Sequence, residues 1–134
     1  MKRVFADTSF WVALFARGDD NHARATTLWR GLSARGTDFV TSDYVFDETM
    51  TLLARRAGHA ASVLASSAIR GSPRVRLLPI YAAHWDRVLQ QYEVFRDGFS
   101  FTDVSSFVLM RALRLTEALS FDADFTKAGF ETLR

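Results

Sequence analysis

The sequence predicts an α/β fold, with a mainly parallel sheet of four to five strands and helices on both faces. Three observations carry this. Short apolar strand candidates alternate with helical patterns along the whole chain, which is the order that builds a parallel sheet. The first strand, Lys2 to Ala6, ends in a carboxylate, Asp7, and a helical pattern starts straight after it. No repeat, low-complexity tract or Pro/Gly linker divides the 134 residues, so residues 1–134 are expected to form one domain.

Taken in order, Thr8 to Ala16 reads as a short apolar helix, and Arg17-Gly18-Asp19-Asp20-Asn21 has turn chemistry. His22 to Arg35 shows helical spacing, with Ala25, Leu28, Trp29 and Leu32 on one face and Gly36 ending it. Thr37 to Thr41 is a strand candidate, and Ser42 or Asp43 caps the helix Tyr44 to Ala57. Gly58 separates this helix from an Ala-rich one, His59 to Arg70. Arg74 to Ile80 reads as a third strand, placed at the sheet edge by Pro79. Ala82 to Asp97 is expected to be a long helix burying Trp85, Val88, Leu89 and Tyr92. A helix from Thr102 to Leu115 follows, then a strand from Glu117 to Phe121 and a fifth strand candidate, Phe130 to Leu133.

Composition narrows the chemistry. Hydrophobic residues make up 49% and include twelve Phe, which excludes a disordered chain. The absence of Cys removes disulfides, thiolate nucleophiles and zinc–thiolate sites, and fits a reducing compartment. No signal-peptide pattern opens the chain, and no run reaches the roughly 18 charge-free apolar residues of a membrane span, so a cytoplasmic location is expected. The formal charge is +2, and of the 17 basic residues only Lys2 and Lys127 are lysine. Arginine suits bidentate phosphate contacts, although a GC-rich coding sequence gives the same bias.

The acids are the informative residues. Asp7 ends strand one, Asp122 and Asp124 follow the fourth strand, Asp103 opens a helix, and Glu48 lies in the second turn of the helix leaving strand two. Each falls at or just past a strand's carboxyl end, where open parallel sheets bind ligands. Carboxylates brought together there repel unless a cation compensates, and hard divalent ions prefer oxygen ligands. Each acid also has a structural reading. Asp7 suits a helix N-cap, Asp103 a dipole partner, and Asp122-Ala123-Asp124 a plain turn. Most other acids, among them Asp19, Asp20, Asp38 and Asp97, are expected on the solvated surface, with Asp47 pointing away from Glu48.

Other chemistries lack their motifs. Neither G-x-x-x-x-G-K-[ST] nor G-x-G-x-x-G occurs. His22, His59 and His84 match no metal-ligand spacing, and Ser9 has no nucleophile elbow. A phosphatase using Asp7 as a covalent nucleophile would want a supporting lysine, which no motif supplies. For a nucleic-acid rim, Arg17, Arg55, Arg56 and Trp11 are the candidates, while Trp29 and Trp85 fit core stripes.

Four motifs in order, A-D-T-S-F at 6–10, D-E-T at 47–49, S-F-T-D-V-S-S-F at 100–107 and S-F-D-A-D-F at 120–125, resemble PIN-domain nucleases, and among them the VapC-type toxins of prokaryotic toxin–antitoxin pairs. M-R at 110–111 and A-G-F at 128–130 add to the match, which spans essentially the whole chain. The resemblance implies a three-layer α/β/α sandwich and an endoribonuclease acting on single-stranded or looped RNA. It implies Mg²⁺, with Mn²⁺ substituting, held by Asp7, Glu48, Asp103 and Asp122. Asp124 is expected to be auxiliary, and Thr8, Ser9 and Thr102 to orient the ligands by their hydroxyls. Water attack on phosphorus at such a site leaves a 5′-phosphate and a 3′-hydroxyl. An antitoxin partner and a homodimer are implied as well, with the Phe-rich helices as material for the dimer. The competing reading is a catalytically quiet module whose acidic pocket docks a basic residue of a protein partner.

Overall fold

The computed structural model describes residues 2–95 and 98–134. Among them, β1 (Arg3–Ala6), β2 (Asp38–Ser42), β3 (Val75–Leu78), β4 (Glu117–Leu119) and β5 (Glu131–Leu133) form one sheet in the order β3-β2-β1-β4-β5. Every neighbouring pair is parallel. As Pro79 suggested, β3 is an edge strand. It ends at Leu78, so the missing N–H of Pro79 costs no ladder bond.

Seven helices join these strands among the described residues: α1 (Thr8–Phe15), α2 (His22–Ala34), α3 (Asp43–Ala57), α4 (His59–Gly71), α5 (Ala82–Val94), α6 (Phe101–Ala112) and α7 (Asp124–Lys127). The chain winds outward from β1 through β2 to β3, then returns to β4 on the other side of β1. With right-handed crossovers that reversal carries the later helices to the opposite face, giving the three-layer sandwich. It also makes the junction of β1 and β4 the switch point, whose carboxyl end is the ligand crevice of such sheets. None of the helices is long and apolar enough to cross a membrane.

The core sits on β1, where Val4, Phe5 and Ala6 are fully buried, and along α6, buried from Asp103 to Met110. Phe107 of α6 meets Phe99, Phe125 and Phe95 edge-on, at ring-centroid distances of 5.1, 5.0 and 6.3 Å. Such pairs contribute about 0.5–1.5 kcal/mol each beyond area burial. All twelve Phe lie in this core or pack against it, five of them, Phe15, Phe46, Phe95, Phe101 and Phe121, only partly buried. The large apolar side chains that are exposed belong to α4 and to α5 and its start, and include Leu64, Tyr81, Trp85 and Tyr92.

Several local expectations hold and others change. On α2, Ala25 and Leu32 are buried, with Leu28 and Trp29 packed against the core. Ser42, and not Asp43, caps α3, its hydroxyl accepting from the Val45 N–H at 3.1 Å. Asp43 instead accepts from the Ile80 N–H at 3.0 Å and ties down the end of β3. The helix expected over 82–97 ends at Val94, and positions 96–97, including Asp97, lie outside the described residues. Its expected buried stripe is wrong: only Val88 is buried, while Trp85 and Tyr92 are 40% and 44% exposed. Both rings lean on Phe101 at the start of α6, the element against which α5 mainly packs. Trp11, a candidate for stacking on RNA, is 1% exposed, and its indole N–H donates to Thr41 at 3.3 Å.

Asp38 is not the solvated acid the sequence suggested. It is buried at the start of β2, where Arg74 and Arg76 reach it at 3.5 and 3.4 Å from the neighbouring strand. Both arginines are substantially exposed, which screens the pairs. Asp38→Ala is expected to cost about 1–2 kcal/mol, mainly through the lost charge-assisted hydrogen bonds. Urea unfolding at low and high salt checks this, with a smaller loss in high salt.

Candidate active site

Backbone pairing between β1 and β4 continues one step past the strands, the Asp7 N–H donating to the Leu119 carbonyl at 3.0 Å. Asp7 therefore stands at the switch point, 2% exposed. It occupies the N-cap position of α1, yet its carboxylate makes no capping bond. One oxygen, Oδ2, instead accepts from the hydroxyls of Ser9 and Ser120, each at 3.0 Å. The cap reading of its side chain is thereby replaced. Ser9 Oγ also accepts from the Phe121 N–H at 2.9 Å, which pins the loop after β4. β4 ends at Leu119, two residues before the expected strand end at Phe121, and the loop begins at Ser120.

Asp103 serves two purposes. With Ser100 it forms a capping box: the Asp103 N–H donates to Ser100 Oγ at 3.0 Å, and Asp103 Oδ2 accepts from the Ser100 N–H at 3.2 Å. The same carboxylate faces the crevice. Asp122 likewise keeps its turn role, accepting from the Asp124 N–H at 3.0 Å. Glu48 approaches from α3, half-buried, while Asp47 is exposed.

These elements enclose a cleft of about 180 Å³ lined by Asp7, Thr8, Ser9, Glu48, Asp103 and Asp122. Asp124 stands beside it: one carboxylate oxygen each from Asp103, Asp122 and Asp124 lie within 4.8 Å of one another. The Thr8 hydroxyl is buried without a hydrogen-bond partner. Thr102 is not among the lining residues, and its carbonyl accepts the hydroxyls of Ser105 and Ser106. Three contributors escaped the sequence reading. Ser120 lies inside a quoted motif but carried no separate signal. Asp19, expected in solvent, is a half-buried wall residue of the cleft. Leu52 follows Glu48 by one helical turn on the same wall.

Burial and crowding set the electrostatics. Desolvation, then the charges of Asp122 and Asp103, push the Asp7 carboxyl from 3.8 to about 7, against partial relief from the Thr8 backbone N–H and the Ser120 hydroxyl. Asp103 rises to about 7 as well, chiefly through burial; the Ser100 N–H opposes the rise, and Asp122 and Asp124 add to it. Two carboxyls raised chiefly by burial, and further by neighbouring carboxylates, mark a site that a cation would relieve. The donors are oxygen throughout, and no histidine lines the cleft. This set suits a hard divalent ion such as Mg²⁺ or Mn²⁺.

An all-parallel sheet with an acidic cleft at its switch point defines an α/β protein whose carboxylates stand where such sheets bind ligands. The chain belongs to the PIN-domain family, whose model matches residues 4–131. It is 41% identical over 135 residues, 98% of either chain, to proteins described as 23S rRNA-specific endonuclease VapC20 from Mycobacterium tuberculosis strains CDC 1551 / Oshkosh and ATCC 25618 / H37Rv. The crystal structure of Mycobacterium tuberculosis VapC20, described as a Sarcin-Ricin loop cleaving toxin, superposes with a TM-score of 0.87 at 39% identity, over 95% of both chains. VapBC2 from Rickettsia felis, crystallised on a DNA fragment from its promoter, shares the fold with a TM-score of 0.67 at 11% identity, over 98% of this chain and 97% of that one.

Proposed function

We propose that this protein is a metal-dependent endoribonuclease that cuts single-stranded or looped RNA, and that it is the toxin of a toxin–antitoxin pair working in the cytoplasm. The observation that carries the reading is the convergence of Asp7, Glu48, Asp103 and Asp122 on one cleft at the sheet's switch point. The relatives described as rRNA endonucleases support RNA as the substrate class, and the one described as a toxin supports an antitoxin partner.

Asp7, Asp103 and Asp122 are the residues that would hold Mg²⁺ or Mn²⁺, with Glu48 as outer ligand or water-orienting base. The ion would supply a lowered pKa for water and neutralisation of charge on the phosphoryl oxygen. The chain itself supplies position. Ser9 and Ser120 fix one oxygen of Asp7, the Ser100 N–H fixes one oxygen of Asp103, and the Asp124 N–H fixes one of Asp122. Attack of water on phosphorus, with departure of the 3′ oxygen, leaves a 5′-phosphate and a 3′-hydroxyl. The 2′-hydroxyl takes no part, so preference for RNA must come from how the strand is bound.

Ser120→Ala removes a hydroxyl that orients Asp7 without removing a carboxylate. Loss of such a supporting bond is expected to lower Mn²⁺ affinity about 10- to 100-fold, as read by isothermal titration. The same titration tests the reading as a whole. Mn²⁺ binding that disappears in Asp7→Asn supports it, whereas absence of Asp7-dependent binding favours an acidic pocket that docks a partner's basic side chain.

A further inference from the structure

We infer that Arg56 holds the phosphate backbone of the RNA strand next to the scissile bond, and so directs the strand from the acidic cleft into a basic groove. The inference rests on the ribonuclease reading above and adds the path of the substrate. Glu48, Leu52 and Arg56 stand four residues apart on α3, and all three line the acidic cleft. The helix rises about 12 Å from Glu48 to Arg56, so carboxylate and guanidinium mark two ends of one wall. Arg56 is exposed and forms no ion pair among the described residues, although Asp19 shares the cleft.

Arg56 also lines a larger groove of about 880 Å³, together with Arg17, Arg30, His22 and Trp29. No residue lining that groove is acidic. Asp19 and Asp20 flank Arg56 in an adjoining hollow, so positive charge is offered only on the side of Arg17 and Arg30, in a groove whose remaining wall is largely apolar. Carboxylates repel the phosphates that flank the reacting one, and positive charge attracts them, so the strand is favoured on that side of Arg56. The planar guanidinium can donate two parallel hydrogen bonds to one phosphate, which fixes the strand as well as attracting it. Arg56 is thus a substrate-positioning residue. An acidic segment of a protein partner is the other occupant the groove's charge would suit, and the test separates the two.

Steady-state cleavage of purified 23S rRNA in Mn²⁺, at several salt concentrations, tests the inference. Arg56→Ala should raise KM about tenfold with kcat within about twofold, and flatten the dependence of log KM on log salt by about 0.7, the value of one single-strand phosphate contact. Arg56→Lys should restore the salt dependence and much of KM, because the point charge remains. An unchanged KM, as expected if the groove serves only a protein partner, or a fall in kcat alone, overturns the inference. RNA retention by Asp103→Asn, with and without Arg56→Ala, separates its failure from that of the ribonuclease reading. Equal retention by the two proteins defeats the role of Arg56 only. Retention that depends on Arg56, in a protein whose wild type never cleaves, defeats the nuclease reading and leaves the strand path. No retention by either defeats both.

Discussion

Asp103→Asn is expected to lower the rate of RNA cleavage about a thousandfold while leaving the fold intact, because several kcal/mol of transition-state charge stabilisation depend on it. Asparagine keeps the size of the side chain and an oxygen able to accept from the Ser100 N–H, so the capping box that starts α6 survives. What is lost is one negative charge in a cleft lined by five carboxylates. Asp7→Asn should behave alike, since the amide oxygen can still accept from Ser9 and Ser120. Single-turnover rates at saturating Mn²⁺, with circular dichroism as the control for folding, measure the loss. Cleavage within tenfold of wild type in either folded variant would remove that residue from the site.

The metal-free protein is expected to lose stability as pH rises from about 4 to about 7, the reverse of a protein held by salt-bridged carboxylates. Asp7 titrates near 7 when folded and near 3.8 when unfolded, so the folded state binds its proton more tightly. Its penalty is absent below the unfolded value, grows between the two, and is complete above the folded one. A shift of about three units corresponds to about 4 kcal/mol. Asp103 adds to the trend in the same direction. Thermal unfolding in EDTA between pH 5 and pH 8 should show the decline, with a flatter profile for Asp7→Asn. Mn²⁺ at a hundred times its dissociation constant should return about 2.7 kcal/mol at pH 8. Profiles of equal slope for wild type and Asp7→Asn would contradict this account of the buried carboxyl.

The same residues explain how far the sequence could be read. Alternation of strand and helix patterns, together with the acids at strand ends, located the sheet and its rim. A strand's carboxyl end is fixed by chain direction alone, so Asp7 and Asp122 were placed before any contact was known. Sequence spacing does not separate a cap from a cleft residue, and for Asp103 the two coincide: one carboxylate caps α6 and lines the cleft. It failed where burial depends on what lies across space. Helical periodicity gives α5 an apolar stripe, but not that α5 packs mainly on α6, which leaves Trp85 exposed. Asp38 looked like a surface acid because Arg74 and Arg76 reach it from a strand more than thirty residues away. Ser120 had no pattern of its own, and its meaning comes from lying 3.0 Å from Asp7 across 113 residues of chain. The thirteen-residue α2 and its Gly36 terminus were legible because they depend on local chemistry.

The central claim is that the four converging carboxylates form one divalent-ion centre for phosphodiester hydrolysis. Incubating the purified protein with total RNA in Mn²⁺, and mapping the chemistry and position of the new ends, tests it most directly. The account predicts discrete cuts bearing 5′-phosphates and 3′-hydroxyls, abolished by EDTA and absent with Asp7→Asn and Asp103→Asn. Cuts that persist in EDTA, that carry 2′,3′-cyclic phosphates, or that survive in both variants would contradict it.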